Sequence, residues 1–305
     1  MKEDRLSVLI TGAAGFVGRY VAKEFSNQGY DVIGMGWGKF PDYADWGLSA
    51  WHEAEVSLEM LCEYANQPDV IVHCAGGASV GNSVQHPRQD FCQTVDATSH
   101  VLEYIRLHSP QTKLVYPSSA AVYGNVKASP IPESTPYNPV SPYGMHKMMA
   151  EQLCQLYASR YELSIAVVRL FSIYGEGLRK QLLWDACNKL SVGDTSFFGS
   201  GEEVRDWLHV SDAARLLYLA SEQASLLCSV VNGGSGKGVK VKDILHCLCE
   251  AMKVEKELVF SSVPKEGDPD VLLAESSKAL SWGWQPTVEI QGGIFQYVRW
   301  FKQCQ

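Results

Sequence analysis

Short apolar blocks alternate with amphipathic stretches through the first half of the chain. The blocks predict buried strands at residues 8–11, 31–35, 70–74, 113–117 and 164–171. The amphipathic stretches predict helices that start at Phe16 and cover 58–64, 87–107 and 143–160. Short apolar strands separated by helices are typical of a parallel sheet with helices on both faces. The pattern therefore predicts an α/β fold.

Residues 8–18 join the first apolar block to three glycines and then to a helical pattern. In such a turn Gly12 can take positive φ, Gly15 lets the backbone approach a diphosphate, and Gly18 lets the helix pack closely. Free amides at the start of that helix then face the anion. With a second strand at 31–35, this is the βαβ unit of a dinucleotide site. The residues predicted to contact the dinucleotide here are Gly12, Ala14, Gly15, Phe16 and Val17.

After Tyr174 the pattern loosens, with frequent glycine and proline. We expect residues 1–174 to form the dinucleotide-binding domain, with a return segment at about 206–232. Residues 175–205 and 233–305 are expected to form a smaller, mixed α/β lobe that binds the substrate.

The composition limits the classes of molecule that the protein is expected to bind. The chain has 305 residues, 34 acidic and 26 basic side chains and a net charge of -8, which argues against nucleic acid or an anionic membrane. A charged start and the absence of an apolar run of about 18 residues predict a cytoplasmic protein. The nine cysteines are scattered without a CxxC pair, so we expect free thiols and no metal site.

Tyr143 and Lys147 are four residues apart in a predicted helix, so their side chains share one face. A phenol with a pKa near 10 is a poor base at neutral pH. A nearby ammonium, helped by an oxidised nicotinamide, favours the phenolate and can lower that pKa by about 1 to 3 units. Ser119 follows the predicted strand at 113–117, at the sheet edge where such folds bind ligands, and could bond the same substrate oxygen.

In their order and spacing these motifs resemble the extended short-chain dehydrogenase/reductases that act on nucleotide sugars, the NAD(P)-dependent epimerase/dehydratase family. The similar segments cover nearly the whole chain and include 73–76, 122–124, 141–147, 169–175, 205–210 and 282–286. The resemblance implies a Rossmann-type doubly wound parallel sheet with Tyr143 as acid/base. It also implies that Lys147 lowers the pKa of Tyr143 and holds the nicotinamide ribose, and that Ser119 polarises the substrate carbonyl.

The resemblance implies further binding residues. For the cofactor these are Lys39, Glu55, Val56, Ala75, Gly76 and Lys147, and for the nucleotide sugar they are Ser79, Ser172, Arg205 and Lys265. Arg205 is expected to bind the diphosphate of the sugar nucleotide. The alternative interpretation is that Arg205 forms a salt bridge with Asp206. Lys265 stands where many relatives carry a second arginine, and a lysine lacks the bidentate fork.

The cofactor and the reaction depend on where the chain departs from its relatives. The second strand is followed by Gly36 and Trp37 rather than the acidic residue typical of NAD sites, and Lys39, together with Arg19, could pair with a 2'-phosphate. This favours NADP, with NAD as the alternative.

Ala120 and Ala121 lack the acidic residue of the 4,6-dehydratases and the cysteine of the fucose-type epimerase-reductases. Two asparagines and a lysine common in epimerases are replaced by Thr94, Ser172 and Ala78. These departures favour reduction of a 4-keto nucleotide sugar. A nucleotide-sugar 4-epimerase using the same three residues is the alternative, and a non-catalytic NAD(P)-binding module is a third. Relatives commonly dimerise, so we expect a homodimer formed by the helices near 87–107 and 143–160.

Overall fold

The computed structural model describes residues 5–126, 129–262 and 270–305. Seven parallel strands form the main sheet, in the order β10-β6-β5-β4-β1-β2-β3. In chain order they are β1 (Ser7–Thr11), β2 (Asp31–Gly36), β3 (Ala50–Glu53), β4 (Val70–His73), β5 (Lys113–Ser119), β6 (Ile165–Leu170) and β10 (Ser229–Gly233). This confirms the predicted α/β fold with a doubly wound parallel sheet.

The helices before and around this sheet are close to those predicted. They are α1 (Phe16–Asn27), α2 (Leu58–Tyr64), α3 (Val80–Gln85), α4 (Pro87–Phe91), α5 (Ala97–His108), α6 (Pro142–Tyr161) and α8 (Val210–Glu222). A π-helical turn, Cys92–Asp96, joins α4 to α5. The predicted helix at 87–107 is thus continuous but carries one wide turn, a feature that often marks functional sites.

The period-two alternation of β1 explains how both faces of the sheet are covered. Val8 and Ile10 are fully buried on the face where α1 and α8 pack, and Leu9 is fully buried on the face of α2, α5 and α6. Side chains of successive strand residues point to opposite faces, so a strand without polar positions must be buried on both.

The smaller lobe contains a four-stranded sheet and a two-stranded sheet. The four-stranded sheet is built on β9 (Val204–His209), which pairs with β7 (Ser172–Tyr174), β11 (Gly238–Lys240) and β13 (Val271–Leu272). The two-stranded sheet joins β8 (Ser196–Phe197) to β12 (Val259–Phe260). The remaining helices are α7 (Gln181–Ser191), α9 (Val241–Met252), α10 (Ser277–Ser281) and α11 (Ile290–Gln303). Within the predicted return segment, α8 packs on the main sheet and β10 is one of its strands, whereas β9 belongs to the four-stranded sheet.

A buried ion pair ties α6 to β6 beneath the carboxyl end of β5. Glu151 is fully buried and Arg169 is 3% exposed. Arg169 Nη2 donates to Glu151 Oε2 at 2.8 Å, and Nε donates to both carboxylate oxygens. Ser118 and Tyr137 donate their hydroxyls to the same carboxylate. The pair therefore links α6 to β6, and the hydrogen bond from Ser118 links Glu151 to β5, the strand that ends at Ser119.

Arg169→Met is expected to lower the free energy of unfolding by about 3–5 kcal/mol, because it leaves the Glu151 carboxylate buried without its cation. The double variant Arg169→Met/Glu151→Leu is expected to recover much of that loss. The surface pair Arg106–Glu103, at 2.6 Å, provides the control, and Arg106→Met should cost about 1 kcal/mol or less. Urea unfolding of the three variants checks this, and equal losses for Arg169→Met and Arg106→Met would contradict it.

Candidate active site

The turn after β1 packs directly against the end of β4. Gly12 has φ +69° and its amide donates to the Met35 carbonyl at 2.6 Å. A Cβ on Gly12 would lie 2.7 Å from the Ala75 amide nitrogen, and one on Gly18 would lie 2.2 Å from the Gly12 carbonyl oxygen. Only glycine allows both approaches, as expected from the spacing of the motif.

The first turn of α1 is open to an anion. Gly15 is the N-cap in extended backbone, and no side chain caps the helix. The first amides of a helix have no partner within it, and a bound anion satisfies them. Phe16 and Val17 line the same cleft as this turn. The glycine cradle and the open amides thus fit the diphosphate of a dinucleotide.

A cleft of about 1580 Å³ extends from this turn across the carboxyl edge of the main sheet to the smaller lobe. Most residues predicted for the site line it: Gly12, Ala14, Gly15, Phe16, Val17, Glu55, Val56, Ala75, Gly76, Ser79, Ser119, Tyr143, Lys147, Ser172 and Arg205. Lys39 is exposed and lies outside the lining, so the structure does not bring it to the other cofactor residues. Lys265 lies outside the described residues.

Arg19 holds the glycine turn and also lies over Phe40 in the loop after β2, with its guanidinium 5.5 Å from the centre of that ring. Its guanidinium donates to the Ala14 carbonyl at 2.6 Å and lies 5.2 Å from the ring centre of Trp46. Gly36 and Trp37 line the cleft at the end of β2, and Trp37 is 75% exposed. Arg19 thus lies between the glycine turn and the loop after β2, whereas Lys39 is exposed and does not line the cleft.

The start of α6 fixes Tyr143. Ser141 caps the helix by accepting the Gly144 amide at 3.1 Å, and Pro142 occupies the first turn. The Tyr143 amide donates to Ser83 Oγ at 3.0 Å, so α3 also anchors this turn. The Tyr143 side chain is hydrogen-bonded to Ser119 at the end of β5. Two separate elements, α6 and β5, thus bring Tyr143 and Ser119 together.

Lys147 lies one turn further along α6 and is 6% exposed. Its Nζ donates to the Pro117 carbonyl at 2.9 Å and lies 4.8 Å from the ring centre of Tyr116. Burial lowers the pKa of Lys147 to about 8, and the nearby acidic groups, among them Cys74 and Asp90, only partly oppose that effect.

The pKa of Tyr143 is raised, chiefly by burial, while the hydrogen bond to Ser119 acts in the opposite direction. From the spacing we expect Lys147 to lower it. In this structure burial outweighs the stabilising effects, and the ammonium bonds the Pro117 carbonyl instead of the phenol. The cause is tertiary packing, which the spacing of the two residues does not report.

A buried Asp90–His146 pair adjoins the two residues, and the sequence did not single it out. Asp90 is 1% exposed, and its Oδ2 lies 2.6 Å from His146 Nδ1. The charge of Asp90 raises the pKa of both Tyr143 and Lys147. The only signal in the sequence was a histidine between those two residues.

Arg205 lies on β9 and is 9% exposed. Its Nη1 donates to the Val204 carbonyl at 2.9 Å. The neighbouring Asp206 accepts the amides of Ser235, Gly236 and Ala274 at 2.6, 3.0 and 3.1 Å. Asp206 therefore holds the loop after β10, while Arg205 lines the cleft.

All nine cysteines are free, as expected. Across residues 5–126, 129–262 and 270–305, no group of three acidic, histidine or cysteine side chains has the arrangement of a metal site. No helix within these ranges is long and apolar enough to cross a membrane.

Residues 8–231 match the family model described as the NAD dependent epimerase/dehydratase family. The chain belongs to this family. UDP-glucose 4-epimerase 4 of Oryza sativa subsp. japonica is 30% identical to it, over 90% of this chain and 84% of the rice protein. Membership confirms the predicted extended short-chain dehydrogenase/reductase.

Two solved structures agree with this chain in fold. The UDP-glucose 4-epimerase of Thermotoga maritima, solved with UDP-glucose, superposes with a TM-score of 0.88 at 27% identity, covering 98% of this chain and 99% of that one. MoeE5, solved with UDP-glucuronic acid and NAD, gives a TM-score of 0.87 at 26% identity, covering 98% and 100%.

Gly18→Ala is expected to weaken dinucleotide binding and to lower the free energy of unfolding by about 1–3 kcal/mol, because its Cβ collides with the Gly12 carbonyl. Gly292→Ala is the control, since nothing lies within 4 Å of a Cβ at that helical position. Calorimetric titration with NAD and thermal unfolding measure both effects. Unchanged affinity in Gly18→Ala would contradict the assignment of the turn.

Proposed function

We propose that the chain is an NAD-dependent 4-epimerase of a UDP-sugar. The observation that carries the proposal is the meeting of Ser119, Tyr143 and Lys147 in one cleft with the glycine turn. The rice and Thermotoga relatives named as UDP-glucose 4-epimerases support the same reaction. Of the two enzymatic hypotheses drawn from the sequence, the comparisons favour the epimerase.

NAD is proposed as the cofactor in preference to NADP. The sequence favoured NADP because of Lys39 and Arg19, but Lys39 lies outside the cleft and Arg19 holds the glycine turn. The structure of MoeE5 with NAD supports this choice. The residues proposed to hold the dinucleotide are those of the turn, with Glu55 and Val56 just after β3 and Lys147 at the nicotinamide ribose.

When bound, the nicotinamide supplies an acceptor and donor of hydride for carbon 4 of the sugar. Tyr143 would take the proton of the 4-hydroxyl as hydride leaves carbon 4. It would return that proton to the same oxygen once the turned 4-keto group is reduced on its opposite face, and Ser119 would bond this oxygen throughout. Lys147 supplies the positive charge that favours the phenolate. Arg205, buried at the other end of the cleft, is proposed to bind the diphosphate of the sugar nucleotide, with Ser79 and Ser172 contacting the sugar.

Reduction of a 4-keto sugar is the second candidate. Ala78, Thr94 and Ser172 favour it, because epimerases commonly carry a lysine and two asparagines at these positions. A homodimer formed through α6 and the helices of 87–108 stays a prediction for either reaction.

The test is interconversion of UDP-glucose and UDP-galactose by the purified chain without net change in NADH. Tyr143→Phe is expected to lower the rate by about 10²- to 10⁴-fold, because the acid/base group is lost. Tyr161→Phe, at the exposed end of the same helix, should leave the rate unchanged. Full turnover in Tyr143→Phe would overturn the catalytic assignment. Stoichiometric consumption of reduced cofactor with a 4-keto sugar, and no interconversion, would favour the reductase.

The pH profile of the wild type should rise with an apparent pKa no higher than about 8. Because of burial, Lys147 has the lower pKa of the two residues and Tyr143 the higher. The active form is a phenolate beside an ammonium, so the pair then holds one proton fewer than when both groups are protonated. The neutral phenol beside a neutral amine holds the same number of protons and is its tautomer. The singly protonated pair accumulates as pH rises through the lower pKa. In Lys147→Met only the phenol remains, so the rise moves to higher pH. Initial rates against pH measure this, and an unmoved profile in Lys147→Met would contradict it.

A further inference from the structure

Lys180 bridges the two walls of the cleft. It lies between β7 and α7, and its Nζ donates to the Ala78 carbonyl, 102 positions away in the chain, at 3.1 Å. Both residues line the cleft. Lys180 is therefore a cation on the smaller lobe's side that reaches the loop after β4 on the side of the main sheet.

The Lys180 ammonium has no acidic partner among the described residues. Burial is the cause of its lowered pKa, and no carboxylate opposes that effect. Lys180 is exposed at the edge of the cleft, and an ammonium bonded to one neutral carbonyl there retains donors and charge that an anion can satisfy. The chain has a net charge of -8, and acidic side chains are therefore in excess. A lysine that lines a ligand cleft without pairing with one of them indicates an anionic ligand.

The bridge passes over the glycine turn. On one side, the segment before Lys180 packs on α1: Tyr20 donates its hydroxyl to the Glu176 carbonyl at 3.1 Å, and a Cβ on Gly177 would lie 3.7 Å from the ring of Phe16. On the other side, the loop that carries Ala78 begins at Ala75, which touches Gly12. Both ends of the bridge thus border the start of α1.

The other cations that line the described part of the cleft are placed differently. Lys147 bonds the Pro117 carbonyl beneath the catalytic residues. Lys189 bonds the Ser196 carbonyl at 2.7 Å and lies 3.9 Å from Asp194. Arg205 lies on β9 in the smaller lobe's sheet. Lys147 Nζ also approaches the loop after β4, at 3.7 Å from a Cβ built on Gly76, whereas Lys180 is the cation that donates to this loop from the smaller lobe's side.

We propose that Lys180 binds the diphosphate of the dinucleotide from across the cleft and closes the smaller lobe over it. The amides of α1 contact the diphosphate from below, and the ammonium supplies the charge that balances it. This inference rests on the proposed dinucleotide binding. A sugar nucleotide also carries a diphosphate, so the experiment separates the two sources.

The experiment is calorimetric titration of the nucleotide-free chain with NAD, adenosine and UDP. Lys180→Gln is expected to raise the Kd for NAD about tenfold, in line with a hydrogen bond to a charged group, and to leave adenosine binding unchanged. Lys180→Arg should retain most of the affinity. Lys23→Gln is the matched control, because Lys23 also donates to a backbone carbonyl, that of Asp45 at 3.2 Å, but lies outside the cleft lining.

Raising the salt concentration should weaken NAD binding more in the wild type than in Lys180→Gln, because the ion pair is screened. Equal NAD affinity in wild type and Lys180→Gln would overturn the inference, as would a loss confined to UDP or an equal loss for adenosine. No NAD binding by the wild type would overturn the proposed function itself, and the inference with it. Thermal unfolding of each variant verifies that it is folded.

Discussion

The site depends on a contact between two backbones. The turn at Gly12 lies against the amide of Ala75 with no side chain between them, and α1 closes on the same turn at Gly18. This brings the carboxyl ends of β1 and β4 together at the edge where the parallel strands end, and it aims the open first turn of α1 along that edge. Every other part of the cleft is placed relative to this contact.

The same edge explains how the reactive side chains are tuned. β5 ends at Ser119, and α6 places Lys147 in a buried position and Tyr143 in a partly buried one at the cleft. Burial penalises both the phenolate and the ammonium, so it raises one pKa and lowers the other. Asp90 then favours the charged lysine and disfavours the charged tyrosine. The resting pair is consequently biased against the phenolate, and a further positive charge at the site is needed to reverse that bias.

Much of the architecture follows from local patterns. The apolar blocks predict the strands, because a strand buried on both faces needs apolar residues throughout. The three glycines predict the turn, because positive φ and close backbone contacts require glycine. The spacing of Tyr143 and Lys147 predicts a shared helix face for the same reason. In contrast, β3 (Ala50–Glu53) was missed, because an edge strand with partly buried residues shows neither a long apolar run nor clear alternation.

The features that the sequence did not predict all depend on distant partners. Asp90 meets His146 over 56 positions, and Lys180 meets Ala78 over 102. The position of Lys39 outside the cleft depends on how the loop after β2 folds, and the raised pKa of Tyr143 depends on how deeply α6 is packed. Each is a property of the assembled core, whereas residue spacing reports only on neighbours along one element.

The main sheet and the smaller lobe differ in the groups that they offer to an anion. The main sheet meets anions with main-chain amides, whose positions are fixed by the turn and need no net charge. The positive side chains that line the described cleft come mainly from after β6, namely Lys180, Lys189 and Arg205. These cations and the open amides lie on different walls, so the diphosphate binding that we propose would draw the walls together. In that proposal, ligand binding and closure of the cleft are one electrostatic event, set by which side chains the irregular segments carry.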